Sequence, residues 1–121
     1  MLIMLVENKV DELRKLQSCV SECYPNSDIM PFTDSNKAMD FIRSDKFCVD
    51  ICFMEIVMPG VSGFGLAQEL HKRNKSTKLV FVSDTPDYAV TAWNYYVNDY
   101  LLKPITSEGV ERTVTNCFPD K

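Results

Sequence analysis

The segment Phe53-Met54-Glu55-Ile56-Val57-Met58-Pro59-Gly60 is apolar up to a single acid and then breaks into a Pro-Gly turn. A carboxylate at the carboxyl end of a central strand sits where open α/β sheets put their chemistry. Three other apolar runs end in the same manner. Leu2–Val6 stops at Glu7-Asn8, residues 78–82 stop at Ser83-Asp84, and Asp99–Leu102 stops at Lys103-Pro104. Acid, amide, hydroxyl and ammonium groups thus stand at strand ends, where a parallel arrangement would gather them along one edge. A phosphate-cradling cofactor site needs a turn rich in Ser, Thr or Gly after the first strand. The stretch Glu7-Asn8-Lys9-Val10-Asp11-Glu12 would repel a phosphate instead.

The elements that must position these groups follow from periodicity. Leu2–Val6 reads as a strand buried on both faces. Val10, Leu13, Leu16 or Gln17, and Val20 recur at helical spacing, so residues 8–23 are expected to be a helix. Pro25-Asn26-Ser27 is a turn, and Asp28–Phe32 a second strand at a sheet edge. Asp34 is a cap for a helix with Ala38, Phe41 and Ile42 on one face. Residues 50–54 form the third strand, and Ser62-Gly63 opens a helix with Leu66, Ala67 and Leu70 inward. Residues 78–82, 87–96 and Asp99–Leu102 read as the fourth strand, fourth helix and fifth strand, and Val110, Val114 and Cys117 mark a last helix.

Strict alternation of strand and helix with short connections predicts an α/β fold: a five-stranded parallel sheet with helices on both faces. Five such units match the flavodoxin-like order 2-1-3-4-5, in which strands one and three flank the switch point. Glu7-Asn8 and Glu55 are therefore expected to converge in one crevice.

Length and composition are those of one domain: 121 residues, 45% apolar and 25% charged. A net charge of −4 gives no footprint for nucleic acid or an anionic membrane. The apolar N-terminus is only six residues long before Glu7 and lacks a basic flank, so neither a signal peptide nor a membrane span is expected. Five cysteines, an odd number without a secretory signal, argue for a reducing cytoplasm rather than a disulfide framework.

Several motifs taken together resemble bacterial response-regulator receiver domains (CheY-like). Glu55-Ile56-Val57-Met58-Pro59-Gly60 resembles the phosphorylation loop, which in the family reads Asp-x-x-Met-Pro-Gly. Phe81-Val82-Ser83 is similar to the strand that ends in a Thr or Ser, and Tyr100-Leu101-Leu102-Lys103-Pro104 to the strand with a switch aromatic and a Lys before Pro. Asp87-Tyr88-Ala89-Val90-Thr91-Ala92-Trp93 followed by Asp99–Ile105 resembles receivers joined to LytTR DNA-binding domains in particular. A lone Met-Pro-Gly carries little weight; four strand-end motifs in order carry far more.

The resemblance implies phosphoryl transfer from a phosphohistidine to a short carboxylate, with Mg²⁺ neutralising the phosphoryl oxygens. Carried over by position, Glu55 takes the acceptor place, one methylene longer than the usual Asp. Glu7 and Asn8 take the places of the acidic pair, Asn8 offering an oxygen but no charge to a hard cation. With Glu55 and the backbone carbonyl of Val57 they imply a weak Mg²⁺ site. Ser83 and Lys103 match the hydroxyl and the ammonium, and Ser83 with Tyr100 the switch pair. Asp84 replaces a small residue and would crowd and repel a phosphoryl group. The blander readings stay open: Glu55 as a rim acid, Ser83 as a helix cap, Lys103 as a solvated loop lysine, Tyr100 as plain core.

The implied function is a signalling receiver, not an enzyme, controlling transcription through a LytTR-type domain outside this chain. With Glu55 in the acceptor place, normal phosphorylation is not expected, and Glu55 would be a standing negative charge aimed at Ser83 and Lys103. Alternatives are a receiver that accepts phosphate from a histidine kinase, and a flavodoxin-like cofactor binder. The expected partners are a histidine kinase and a second copy of the chain, joined through the fourth helix, fifth strand and fifth helix. Tyr88, Trp93, Tyr95 and Tyr96 make that region unusually aromatic. Residues 1–118 are read as the receiver and 119–121 as a tail or the start of a linker. Cys19-x₃-Cys23 and Cys48-x₃-Cys52 have zinc-like spacing but read as core and loop thiols, and His71 as a surface residue.

Overall fold

The computed structural model describes residues 1–119; residues 120–121 of the expected tail lie outside the described residues. Five parallel strands, β1 (Leu2–Val6), β2 (Asp28–Phe32), β3 (Ile51–Glu55), β4 (Lys78–Ser83) and β5 (Asp99–Leu102), form one sheet. Their order is β2-β1-β3-β4-β5, as the alternation predicted. Helices α1 (Val10–Cys23), α2 (Ser35–Arg43), α3 (Gly63–Arg73), α4 (Ala89–Ala92) and α5 (Ser107–Cys117) connect and follow them. None of the described helices is long and apolar enough to cross a membrane.

The two-residue period of the strands splits the core into two layers. Met4, Val6, Cys52, Met54, Leu79 and Phe81 face α2, α3 and α4, together with Ala38, Leu66 and Ala92. Ile3, Leu5, Ile51, Phe53, Val80 and Val82 face α1 and α5, together with Leu16 and Val114. Strands buried on both faces need continuous apolar runs, and β1, β3 and β4 have them. Helix starts follow the polar residues before them. The Asp34 carboxylate accepts from the Asn36 amide, the Ser62 hydroxyl from Gly65, and the Thr106 hydroxyl from Gly109.

Four boundaries differ from the sequence expectation. β3 is displaced by one residue to Ile51–Glu55, because Glu55 still pairs in register with Val82, whereas the Asp50 carboxylate turns back to accept from the Leu2 amide. β4 likewise runs one residue further, to Ser83, which pairs with Leu102 of β5. α1 begins at Val10, whose side chain is exposed, so its buried stripe starts at Leu13. The helix expected over residues 87–96 is only the four-residue α4 followed by a 3₁₀ turn, Trp93–Tyr95. Val90, Thr91, Trp93, Asn94 and Tyr95 are all weak helix formers, and Tyr96 ends the run in the left-handed region with φ 63°. A non-glycine residue there is strained. The Tyr96 ring stacks flat on His71 of α3, with centroids 3.6 Å apart and planes 8° apart. His71 is thus a half-buried surface residue covered on one side by an exposed ring.

One close approach fixes the loop after β3. The Gly63 amide donates to the Ile56 carbonyl, and a Cβ at Gly63 would lie 2.3 Å from the Glu55 carbonyl oxygen. Only a residue without a side chain lets α3 start against the end of β3. Gly63→Ala is expected to destabilise the fold by about 1–3 kcal/mol through overpacking. Urea unfolding measures this, and an unchanged midpoint would show that the loop yields freely.

Candidate functional site

The parallel topology brings Glu7 at the end of β1, Glu55 at the end of β3 and Lys103 after β5 to one sheet edge. Lys103 Nζ lies 2.6 Å from Glu7 Oε1, 2.5 Å from Glu55 Oε2 and 4.0 Å from Glu12 Oε2. All three principal side chains are enclosed, with 3%, 11% and 10% of the side-chain surface of Glu7, Glu55 and Lys103 exposed. The contact with Glu7 is an aligned hydrogen bond. That with Glu55 is a close ionic approach, and Glu55 Oε2 accepts no aligned hydrogen bond. The second oxygen of Glu7 accepts from the Lys9 amide at 3.2 Å.

Burial disfavours the charged form of each member, but their partners differ. Burial pushes the Glu55 carboxyl up to about 7, with the Glu7 carboxylate adding to the effect and Lys103 opposing it. Burial also opposes ionisation of Glu7, yet its hydrogen bonds with Glu55, Lys103 and the Lys9 amide hold it below the ordinary carboxylate range. Burial lowers the Lys103 ammonium, but hydrogen bonding with Glu55 and Glu7 leaves it raised. Near neutrality the two carboxyls thus act as an unequal pair, Glu7 ionised and Glu55 partly protonated.

The remaining sequence candidates are nearby but do other things. Asn8, Val57, Ser83, Asp84 and Thr85 line a cleft of about 560 Å³ beside Glu55. The buried Ser83 hydroxyl accepts from the Thr85 amide at 3.1 Å, a local turn contact and not a helix cap, since α4 starts after Tyr88 with no side-chain cap. Glu55 meets Lys103, one of the two groups it was expected to face, and lines the same cleft as the other, Ser83. The Tyr100 hydroxyl donates to the Thr85 carbonyl at 2.7 Å while its ring packs on the core. Thr85 therefore ties β4 to β5, a role sequence reasoning missed because only its backbone takes part. The contact of Lys103 with Glu7 was also missed, since 96 residues separate the two. Cys52 is fully buried while Cys48 is exposed, so that pair does not converge.

As folded, the strand-end residues do not fit the Mg²⁺ ion expected on Glu7, Asn8, Glu55 and Val57. Mg²⁺ demands near-ideal octahedral oxygen geometry, and the facing oxygens of both carboxylates are taken by an ammonium. Among the described residues no three acid, His or Cys side chains are grouped to hold a metal.

Comparison with known proteins agrees with this layout. Residues 3–115 match the family model described as the response regulator receiver domain. The transcriptional regulatory protein NatR of Bacillus subtilis is 32% identical over 83% of this chain and 42% of its own length. The sensory transduction protein LytT of Enterococcus faecalis is 29% identical over 93% of this chain and 46% of its own. The chain thus spans less than half the length of these curated relatives. The response regulatory domain of mrkE from Klebsiella pneumoniae superposes with a TM-score of 0.85 at 23% identity, covering 98% of this chain and 96% of that one.

The unequal carboxyl pair predicts a pH dependence of stability. Between the ordinary value of 4.5 and about 7, the folded chain keeps a proton on Glu55 that the unfolded chain has released. Raising the pH through that window therefore destabilises the fold, and the loss is complete above it. Glu7 acts oppositely: its contribution is present above the ordinary value and lost as the pH falls below it. In urea unfolding across the window, Glu55→Gln is expected to lose less stability than wild type and to be the more stable of the two above about pH 7. Parallel declines in both proteins would assign the titration to another group.

Proposed function

The chain belongs to the response regulator receiver domain family, and from that premise we propose that it is a receiver whose acceptor position is filled by Glu55 and is not phosphorylated in the ordinary way. The observation that carries this reading is the engagement of Glu55 by Lys103 at the end of β3. Receiver domains interact with histidine kinases, and the chemistry asks a short, free carboxylate to attack the phosphoryl group. Here the carboxylate is enclosed, paired and partly protonated near neutrality. Its extra methylene also displaces the oxygens by about one C–C bond, and small displacements matter for a reaction that depends on positioning. Asp84 adds a negative charge beside the cleft.

The same engagement makes Glu55 a partial substitute for the phosphorylated state, since a carboxylate has less charge and fewer oxygens than a phosphoryl group. Its output is a second copy of the chain, met through α4, β5 and α5. Val90, Trp93, Tyr96 and Leu102 are exposed there, Trp93 with 75% of its surface. Clustered exposed apolar side chains of this size mark interaction surfaces. A LytTR-type DNA-binding domain beyond this chain, in a cytoplasmic transcription regulator, is the output that the similarity to LytT supports.

Incubation with acetyl phosphate and Mg²⁺ followed by intact mass spectrometry is expected to leave the wild type without a phosphoryl adduct. Stoichiometric adduct on the unaltered chain would overturn the reading. Sedimentation is expected to show self-association that Trp93→Ala weakens by about tenfold and that Glu55→Ala shifts toward monomer. Equal association of wild type and Glu55→Ala would leave Glu55 without a switching role.

A further inference from the structure

We infer that the Lys103 ammonium is the resident cation of this site, and that its presence, rather than the charge missing at Asn8, keeps a divalent metal out. The inference rests on reading Glu7 and Glu55 as the strand-end acids of a receiver, but not on whether Glu55 is ever phosphorylated.

Two observations and one electrostatic argument lead here. The ammonium lies within 2.6 Å of one oxygen from each carboxylate, so the space between those two oxygens already holds a cation. A divalent ion drawing on the same oxygens would sit beside a fixed positive charge, and in an enclosed site that repulsion is poorly screened. Lys103 is also anchored, because its amide donates to the Ser83 carbonyl at 2.8 Å just past β5. The long stem starts from a fixed point and ends in an enclosed ion pair, so the head group cannot simply swing into solvent.

The chemistry of the two cations explains the substitution. An ammonium is a compact point charge with three donors that adapts to uneven acceptors. Here it donates an aligned hydrogen bond to Glu7 and makes an off-axis approach to Glu55. Mg²⁺ needs six oxygens in regular geometry and gives up its waters reluctantly. Asn8 lies along the same cleft and offers a neutral oxygen, so loss of charge there is the competing explanation. The two explanations predict opposite results when each residue is changed alone.

The experiment is calorimetric titration of Mg²⁺ and Mn²⁺ into wild type, Lys103→Met, Asn8→Asp and the double variant. It is run slightly above neutral pH so that the released carboxyls ionise. Lys103→Met is expected to bind Mn²⁺ at least about tenfold more tightly than wild type. Asn8→Asp alone is expected to change affinity by less than about threefold, and the double variant to bind most tightly. A Lys103→Met protein that folds only with metal present would support the inference as well. Tight binding by the wild type, no gain in Lys103→Met, or a tenfold gain from Asn8→Asp with Lys103 intact would each overturn it. That last arm keeps Lys103 and so remains decisive even if Lys103→Met does not fold. Failure of the phosphorylation reading would appear separately, as a phosphoryl adduct on the wild type.

Discussion

Lys103 Nζ held between Glu7 and Glu55 is the contact around which the carboxyl edge of the sheet is arranged. Two carboxyls buried side by side cannot both be charged without a cation, and the fold supplies one from its own chain. Such a buried ion group is weak evidence for stability, since desolvation offsets much of the attraction. Its value lies in fixing which oxygen faces which partner. Glu7 is satisfied by Lys103 on one oxygen and by the Lys9 amide on the other. Glu55 has the less favourable share, and that imbalance divides the two acids into one ionised and one partly protonated group.

A second polar network stands beside the first and meets it where the Lys103 amide donates to the Ser83 carbonyl. The Thr85 backbone receives the Tyr100 hydroxyl at its carbonyl and donates from its amide to Ser83. The hydroxyl at the end of β4 and the ring on β5 are thereby linked through the loop between β4 and α4. That loop leads into a helix of only four residues and a turn ending at the left-handed Tyr96. Its exposed side chains, Val90 and Trp93, belong to the most irregular part of the fold. Few intrahelical hydrogen bonds hold this segment, so it belongs to the low-stability end of the molecule, from which moving elements are drawn. The stacking of Tyr96 on His71 ties the end of the segment back to α3.

The architecture was legible in the sequence because it follows from local patterns. Continuous apolar runs at β1, β3 and β4 can be satisfied only by burial on both faces, and helical spacing between them supplies the cover. The caps at Asp34 and Ser62 were visible because a side-chain oxygen before a periodic stretch has one common use. Strand order then placed Glu7, Glu55 and Lys103 on one edge before any distance was known. The α4 region was misread, because an aromatic-rich stretch offers helical spacing while its residues are weak helix formers.

By itself the sequence determined which chemical groups reach the carboxyl edge: two Glu, an Asn, a Ser and a Lys, each at the end of an apolar run. Only the tertiary structure decided how they divide among themselves. A carboxylate position in the chain says nothing about which oxygen is enclosed, which proton is retained, or which cation is nearest. Those depend on burial and on contacts across 96 residues, as between Glu7 and Lys103. Glu55 and Ser83 line the same cleft, yet the close partner of Glu55 is the ammonium that arrives from the end of β5. Strand periodicity selects the edge, and the competition among neighbouring charges in a poorly solvated space selects the pairing.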